Sequence, residues 1–453
     1  MSTSQTKSQH LISIFTLGLP LVGSHIAQFS VTLTDTIMLG WYNVEALAAQ
    51  VIAGTMFFVL FILGSGFAQA VMPMVAESEE AGDGSTVRRV TRMSIWASLI
   101  YALLALPVLL NAEPILLALG QTAEVAAMGR EYLDIAGWAI FPALFVMVLK
   151  SFLSGLERAQ VVLWVTVGAV LVNIVVNYAL IFGNWGFPEM GLRGAAIASL
   201  AVQVVSALLL GIYVIIVTPE HQMFQRFWRP DWEAFWRVFR LGVPIGLTSL
   251  AEVGLFAAAS VMMGWIGTIA LAAHGIAMQM SAIAFMIHLG LSNAATVRAG
   301  RALGRKNLED LRLGGKLVTL VSLSFVGATI AVFLLLPEYL IGLFMSPDDE
   351  SYSAVVEIGV ILLAAAAVFQ LADALQAIAL GLLRGVQDTS VPMVIAGISY
   401  WIVGVPVSYV MGFWFGWGGV GIWMGLAFGL GVAAVLLMLR FWGPVIRRIA
   451  ERM

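Results

Sequence analysis

The chain consists largely of long apolar runs separated by short polar segments. Uncharged stretches such as 46–76, 93–112 and 159–188 exceed the roughly 18 residues that mark a bilayer-spanning helix. Two longer stretches, 253–297 and 389–439, each have room for about two such helices. The runs are continuous and do not alternate between polar and apolar positions, so the pattern favours α-helices over the strands of a membrane barrel.

This pattern predicts an all-α, polytopic membrane protein. We place its twelve transmembrane helices at about residues 11–37, 46–76, 93–111, 131–150, 161–183, 191–217, 238–264, 268–297, 317–337, 354–383, 389–412 and 418–440. Composition agrees, because 60% of the 453 residues are hydrophobic and 11% are charged, against roughly 25% in soluble domains. The absence of cysteine excludes disulfides and thiolate metal sites. A net charge of -3 gives no electrostatic basis for binding nucleic acid.

Basic residues are distributed very unevenly between the predicted loops. If the N-terminus is cytoplasmic, Arg130 and Arg193 are the only Lys or Arg residues left on the outer side. Lys and Arg in short loops determine the orientation of membrane proteins, and one missed helix would destroy this asymmetry. We therefore predict that both termini face the cytoplasm.

The two halves of the chain repeat the same sequence pattern. Leu-Gly-Leu-Pro at 17–20 aligns with Leu-Gly-Val-Pro at 241–244, and 155–158 align with 381–384 after small gaps. Each copy holds an even number of helices, so both copies enter the membrane from the same side. The repeat predicts two six-helix bundles related by a pseudo-two-fold axis along the membrane normal. Transporters with parallel repeats bind substrate between such halves.

Aromatic and charged residues are mixed between the sixth and seventh predicted helices. The stretch 221–240 combines tryptophan and phenylalanine with arginine, which is typical of an amphipathic segment at the membrane interface. We predict an N-terminal lobe at 1–218, a cytoplasmic interfacial linker at 219–237 and a C-terminal lobe at 238–453.

Pro20 and Pro244 occupy equivalent positions inside apolar helices of the two halves. Each removes a backbone hydrogen bond and bends its helix. The bend is either a static kink or a hinge, and the sequence leaves both interpretations open.

Three carboxylates fall inside or at the end of predicted spans: Asp35, Glu252 and Asp373. A charged residue at the middle of a lipid-facing helix costs about 2.5–3.5 kcal/mol, so all three must face a protected interior. An ionisable residue there is a candidate functional site; the alternative is a protonated acid that only fixes packing. Glu252 aligns with Gln28 of the first half, so the lobes differ in charge at equivalent positions.

Neutral polar residues accompany the three acids. Asn173 and Asn177 share one face of the fifth helix, Gln370 lies one turn before the acid of the tenth helix, and Tyr132 begins the fourth. We predict that these residues and Gln28 form a polar network for substrate, although amides in such helices more often link helices than bind ligands. Every Lys and Arg is assigned to a loop or to the end of a span, so we expect an interior without basic side chains.

The chain lacks the nucleotide-binding motif of an ATP-driven transporter. The nearest string, Gly-Gly-Lys-Leu at 314–317, lacks the first glycine and the hydroxyl of a P-loop. We therefore expect no ATP hydrolysis by a P-loop.

The chain resembles the multidrug and toxic compound extrusion (MATE) family, in particular its bacterial NorM-like branch. The resemblance rests on Pro20, the Asp-Thr-Ile-Met-Leu-Gly run at 35–40, Pro244 and Glu252 of the seventh helix, and Asp373 of the tenth. It implies a secondary active antiporter that exports organic, often cationic, compounds in exchange for H+ or Na+.

The resemblance also implies roles for single residues. Glu252 and Asp373 match acids that couple a cation to transport, with a Na+ ion held by both as one alternative to protons. Asp35 matches an acid whose protonation is linked to bending of the first helix. Asn177 and Phe369 depart from the pattern, because some relatives carry a carboxylate and a tyrosine at these places.

Location and partners are implied by the same resemblance. The protein is expected in the bacterial inner membrane, as a monomer that contacts membrane lipids and binds small-molecule drugs or organic cations. No nucleic-acid partner, no enzymatic activity and no cofactor besides the coupling ion are expected. The alternative function is a flippase for lipid-linked precursors on the same scaffold, which needs a wide cationic cleft for pyrophosphate.

Overall fold

The computed structural model describes residues 6–344 and 350–452. Twelve helices in this part of the chain are long and apolar enough to cross a membrane, which confirms the predicted number and the all-α class. In chain order they are α1 (Lys7–Tyr42), α2 (Val44–Glu80), α3 (Gly84–Leu110), α4 (Ala123–Gly155), α5 (Ala159–Phe182), α6 (Gly191–Val217), α7 (Trp232–Ile266), α8 (Thr268–Gly304), α9 (Leu308–Leu335), α10 (Tyr352–Gly385), α11 (Ser390–Trp414) and α12 (Gly418–Arg452).

Several helices extend beyond the apolar runs from which they were predicted. Helix α3 begins at Gly84 instead of 93, and α8 ends at Gly304 instead of 297. The added turns carry arginines such as Arg88 and Arg301. Arginine is a good helix former but lowers the hydropathy of a sequence window. Hydropathy therefore finds the membrane-spanning part and misses the helical ends.

Side-chain caps fix where several helices start. Asn43 Oδ1 accepts a hydrogen bond from the backbone N–H of Ala46 at 3.1 Å, and Asp83 Oδ1 accepts one from Thr86 N–H at 3.0 Å. Asn307 caps α9 in the same way. Each cap satisfies a backbone donor that the first turn of a helix leaves unpaired, so short polar loops are sufficient to separate consecutive spans.

The chain divides into two compact units. One comprises Gly23–Gly246, here called the N-terminal unit, and the other comprises Met1–Val22 together with Leu247–Met453, here called the C-terminal unit. The divisions fall inside α1 and α7, each two residues after the proline of that helix, Pro20 or Pro244. The lobe boundaries predicted at 218 and 238 remain predictions.

Within the N-terminal unit, α2 packs against α3 and α4, while α6 packs against α4 and α5. The first part of α7 also belongs to this unit. Gly66 of α2 lies directly on the backbone of Gly242 and Gly246 in α7, and a Cβ atom at Gly66 would overlap both. The absence of a side chain therefore permits the close approach of α2 and α7.

The C-terminal unit repeats this packing. Helix α8 packs against α9 and α10, and α12 packs against α10 and α11. Gly290 of α8 lies on the backbone of Val22 in α1, where a Cβ atom would again overlap. Gly290 aligns with Gly66 in the repeat, and Val22 aligns with Gly246. The repeat seen in the sequence thus extends to the tightest helix contacts.

The connection between α6 and α7 is shorter than predicted, because α7 begins at Trp232, inside the stretch expected to be interfacial. Three tryptophans spaced four residues apart are exposed here: Trp228, Trp232 and Trp236. Arg89 of α3 ties the connection to its own unit. Its Nη2 atom donates to Asp231 Oδ1 at 3.2 Å and to Glu233 Oε2 at 2.7 Å.

The Arg89–Asp231 pair predicts a pH-dependent stability. Hydrogen bonding to the Arg89 guanidinium lowers the pKa of Asp231 below its usual 3.8. Such a carboxylate adds stability above the pKa of the unfolded chain, and the contribution is lost as pH falls through the folded-state pKa. We expect Asp231→Asn to lower the thermal midpoint near pH 7 and to have no effect in acid below that pKa. Asparagine keeps the helix cap on Ala234, so a midpoint difference that is independent of pH would contradict this account.

The contact of α2 with α7 predicts a matched pair of glycine variants. Gly66→Ala should lower the free energy of unfolding by about 1–3 kcal/mol, because the added methyl overpacks the interface. Gly54→Ala on the same helix should be neutral or stabilising, since its Cβ would meet only the Gln50 side chain at 3.7 Å. Thermal unfolding of both purified variants measures this, and equal midpoints would argue against the tight contact.

Candidate functional site

Asp35 of α1 lies in a buried polar network of the N-terminal unit, with 6% of its surface exposed. Its Oδ1 atom accepts hydrogen bonds from Asn173 Nδ2 at 2.8 Å and from Asn177 Nδ2 at 2.6 Å. The two asparagines are four residues apart on α5 and therefore lie on one face of the helix. Helix α5 thus presents two amide donors to a single carboxylate.

Two hydroxyl groups extend the network around Asp35. Ser199 Oγ of α6 lies 3.5 Å from Asp35 Oδ2, and Tyr132 OH of α4 lies 3.2 Å from Ser199 Oγ. The predicted residue Tyr132 therefore joins the network through Ser199. Ser199 is not among the residues predicted from the sequence. One serine in an apolar helix gives no sequence signal of its own, because serines in such helices commonly bond their own backbone.

Glu252 of α7 ends a hydrogen-bonded chain in the C-terminal unit. Gln376 Nε2 of α10 donates to Glu252 Oε1 at 2.7 Å, and Tyr400 OH of α11 donates to Gln376 Oε1 at 2.8 Å. Gln376 and Tyr400 are buried, while Glu252 is half-buried. Tyr400 belongs to a π-helical turn, Ile398–Gly404, a distortion that is frequent at functional sites.

Asp373 lies one turn before Gln376 on α10 and is 2% exposed. It is close enough to Glu252 for the two charges to interact. Its Oδ1 atom has no hydrogen-bond partner in the described part of the chain, and the same is true of Gln370 Oε1. Gln370 donates its amide to the carbonyl of Ser281 at 3.4 Å instead of reaching Asp373. Two acceptor oxygens of α10 are therefore available to a cation.

In each unit, a basic side chain lies beside polar residues of the spans. The expectation of an interior without basic side chains is therefore wrong. Lys150 Nζ donates to Gln28 Oε1 at 3.3 Å, so Gln28 contacts a lysine and is not bonded to Asp35. Arg384 lies close enough to Glu252 for their charges to interact. Both residues were assigned to helix ends, but their long side chains reach several ångströms along the protein.

The hydroxyl group of the C-terminal network comes from α11 and not from position 369. Phe369 packs edge-on against Trp423, with ring centroids 5.4 Å apart, and against Phe256 at 5.9 Å. Tyr400 supplies the hydroxyl from the neighbouring helix. The sequence analysis missed Tyr400, because a tyrosine inside an apolar run resembles any other core aromatic residue.

Two of the three intramembrane carboxylates, Asp35 and Glu252, accept hydrogen bonds from neutral side chains. Within residues 6–344 and 350–452, none of Asp35, Glu252 and Asp373 forms an ion pair. In the same part of the chain no three His, Cys, Asp or Glu side chains are grouped to hold a metal ion. A Na+ ion at Glu252 and Asp373 would have to take further oxygen ligands from amides, hydroxyls or water, and it remains a prediction.

Comparisons with known proteins agree with the repeat and the fold. The MatE family model matches residues 20–179 and 244–410, so each match begins at one of the two helix prolines. The chain is 47% identical over 443 residues to the "Probable multidrug resistance protein NorM" of Rhizobium meliloti (strain 1021), covering 97% of this chain and 95% of the relative. The protein of the same name from Agrobacterium fabrum is 44% identical over 434 residues, covering 95% and 93%.

A solved structure shares the fold at lower sequence identity. The crystal structure of MATE in complex with MaL6 superposes with a TM-score of 0.87 at 22% identity, and the match covers 97% of both chains. This likeness confirms the predicted all-α fold.

The Glu252 chain predicts unequal effects for two tyrosine variants of α11. Tyr400→Phe should destabilise the protein by about 1–3 kcal/mol, because the buried Gln376 carbonyl loses its donor. Tyr409→Phe should have little effect, since Tyr409 is 43% exposed. Thermal unfolding of both variants in one detergent measures the difference, and an equally mild effect of the two would contradict the hydrogen bond to Gln376.

Proposed function

The chain belongs to the MatE family, and on that premise we propose that it is a secondary active multidrug efflux antiporter. It exports organic, often cationic, compounds in exchange for H+ or Na+. The names of its NorM relatives support multidrug efflux, and the twelve apolar helices support a multi-pass membrane transporter of small molecules.

The observation that carries this proposal is that none of the three carboxylates forms an ion pair within the described residues. Amides and hydroxyls satisfy a carboxylate by hydrogen bonding without cancelling its charge. Asp35 and Glu252 are held in this way, and Asp373 Oδ1 has no hydrogen-bond partner in the described part of the chain. A cation that enters the Asp35 network therefore finds a negative charge held by amides and a hydroxyl, and a cation near Asp373 finds an unpartnered carboxylate oxygen.

Competition between drug and ion for these charges supplies the coupling. Binding of H+ or Na+ at Asp35, or at Glu252 and Asp373, removes the negative charge that holds a cationic drug, and the drug leaves. Coupling requires that the two conformations of the protein differ in their affinity for each ligand. Pro20 and Pro244 are the candidate hinges, because each removes a backbone hydrogen bond from a helix close to a boundary between units.

The driving force depends on the charge that is moved. Exchange of one monovalent drug cation for one H+ or Na+ moves no net charge, so the term of about 2.3 kcal/mol per 100 mV of membrane potential cancels. The ion concentration gradient then drives export, at about 1.4 kcal/mol for each tenfold ratio.

The charge distribution supports a location in the bacterial inner membrane with both termini in the cytoplasm. Nearly all Lys and Arg residues lie in segments on the side assigned to the cytoplasm. We further propose a monomer that contacts membrane lipids and requires no cofactor besides the coupling ion. A flippase for lipid-linked precursors would need a cluster of cations for pyrophosphate, whereas acids and amides dominate both networks.

Transport in proteoliposomes tests the proposal. We expect ethidium to be exchanged against an imposed pH or Na+ gradient by the native protein, and the gradient that drives exchange identifies the ion. Glu252→Gln, Asp373→Asn and Asp35→Asn should abolish exchange, because each removes a charge for which drug and ion compete. Glu338→Gln, at an exposed carboxylate, is the control and should transport normally.

Two results would refute this mechanism. Exchange that persists in all three carboxylate variants would remove the acids from the mechanism. Ethidium movement that is indifferent to both gradients would exclude an antiporter for this cation.

A further inference from the structure

The two repeats place hydrogen-bonded side-chain pairs at equivalent positions but give them different charges. Gln28 aligns with Glu252, and Lys150 aligns with Gln376 in the register of the repeat. The C-terminal unit pairs a carboxylate with an amide at 2.7 Å. The N-terminal unit pairs an ammonium group with an amide at 3.3 Å. The equivalent helix positions therefore carry a carboxylate, which attracts cations, in one unit and an ammonium group, which attracts anions, in the other.

The ammonium group of Lys150 has no counter-ion among the described residues of its unit. No carboxylate in the described part of the N-terminal unit forms an ion pair with it, and its side-chain partner is the neutral Gln28. Lys150 is half-buried and Gln28 is exposed, so neither side chain is sealed inside the unit. A lysine ammonium that faced lipid would be costly, which favours a water-accessible surface for this pair.

A third polar group lies beside the pair. His25 precedes Gln28 by three residues on α1, so both side chains lie on one face of the helix. The imidazole is close enough to Lys150 for their charges to interact. The cluster therefore combines a primary ammonium group, an amide and an imidazole.

The donors of this cluster match the acceptors of an organic carboxylate. The lysine ammonium has three donor hydrogens, and one of them is donated to Gln28 Oε1. The amide nitrogen of Gln28 offers two more donors. A carboxylate can accept from the ammonium and the amide together, and a hydrogen bond between two charged groups is roughly twice as strong as a neutral one.

We propose that Lys150 and Gln28, with His25 beside them, bind the carboxylate of a zwitterionic organic substrate. The proposal rests on the export function proposed above and adds to it a binding site for one group of the substrate. The cluster then binds the carboxylate of compounds that carry both an amine and a carboxylate. A purely cationic compound has no carboxylate and does not bind to the cluster in this way.

A rhodamine with a free carboxylate and its methyl ester test the proposal, because they differ in that one group. Binding of both dyes is measured with the full-length protein in nanodiscs of lipids without net charge. Lys150→Met should weaken binding of the acid about tenfold or more and leave the ester unchanged. Gln28→Glu should have the same selective effect, because the new carboxylate pairs with Lys150. Lys316→Met, at an exposed lysine, is the charge-matched control and should bind both dyes normally.

The outcomes separate this proposal from the function on which it rests. Unchanged acid binding in Lys150→Met would overturn the carboxylate subsite, and so would the absence of acid binding by the native protein. Loss of both dyes in Lys150→Met without rescue by Lys150→Arg would also overturn it, because the lysine would then be structural. If the proposed export function is wrong, the native protein will not transport the ester in response to an ion gradient. That result differs from each of the binding results above.

Discussion

Hydrogen bonds between buried carboxylates and neutral donors are the interaction on which the rest of the site depends. Asp35 is held by two asparagine amides of α5, and Glu252 by the amide of Gln376. In a low-dielectric interior, an unsatisfied carboxylate is costly, whereas a full salt bridge would leave no charge for a ligand. Amide donors meet both conditions, because they satisfy the oxygen atoms and preserve the negative charge.

The repeat distinguishes positions where the packing of the fold requires one residue type from positions where the residue type can change. Gly66 and Gly290 are retained at equivalent places because any side chain there would overlap the backbone of a neighbouring helix. Gln28 and Glu252, in contrast, occupy equivalent places with different charges. Close helix packing limits the first kind of position sterically. The second kind faces polar groups, so the charge can change while the packing stays the same.

Helices α1 and α7 share an unusual property, because each contributes to both compact units. The first part of α7 packs on α2 in the N-terminal unit, and the first part of α1 packs on α8 in the C-terminal unit. Pro20 and Pro244 lie at the places where the assignment changes. A proline removes one backbone hydrogen bond, so bending is easiest there. Both helices also carry acids, Asp35 on α1 and Glu252 on α7, so each acid lies on the same helix as one of the two prolines.

The sequence alone determined the number of spans, their helical nature, the repeat and the identity of the intramembrane acids. These features depend on local hydropathy and on alignment within one chain, and long apolar runs admit few other interpretations. The ends of helices such as α3 were predicted less accurately, because arginines extend a helix without extending its apolar run.

The tertiary structure decided which groups the acids and amides meet. Asn173 and Asn177 meet Asp35, Gln28 meets Lys150, and Gln376 links Glu252 to Tyr400. These partners are far apart in sequence, and helical periodicity shows only that neighbouring polar residues share a face, not which helix lies opposite. The reach of a long side chain such as that of Lys150 also depends on the helix beside it. The pairing of charges therefore required the packed helices, whereas the presence of the charges did not.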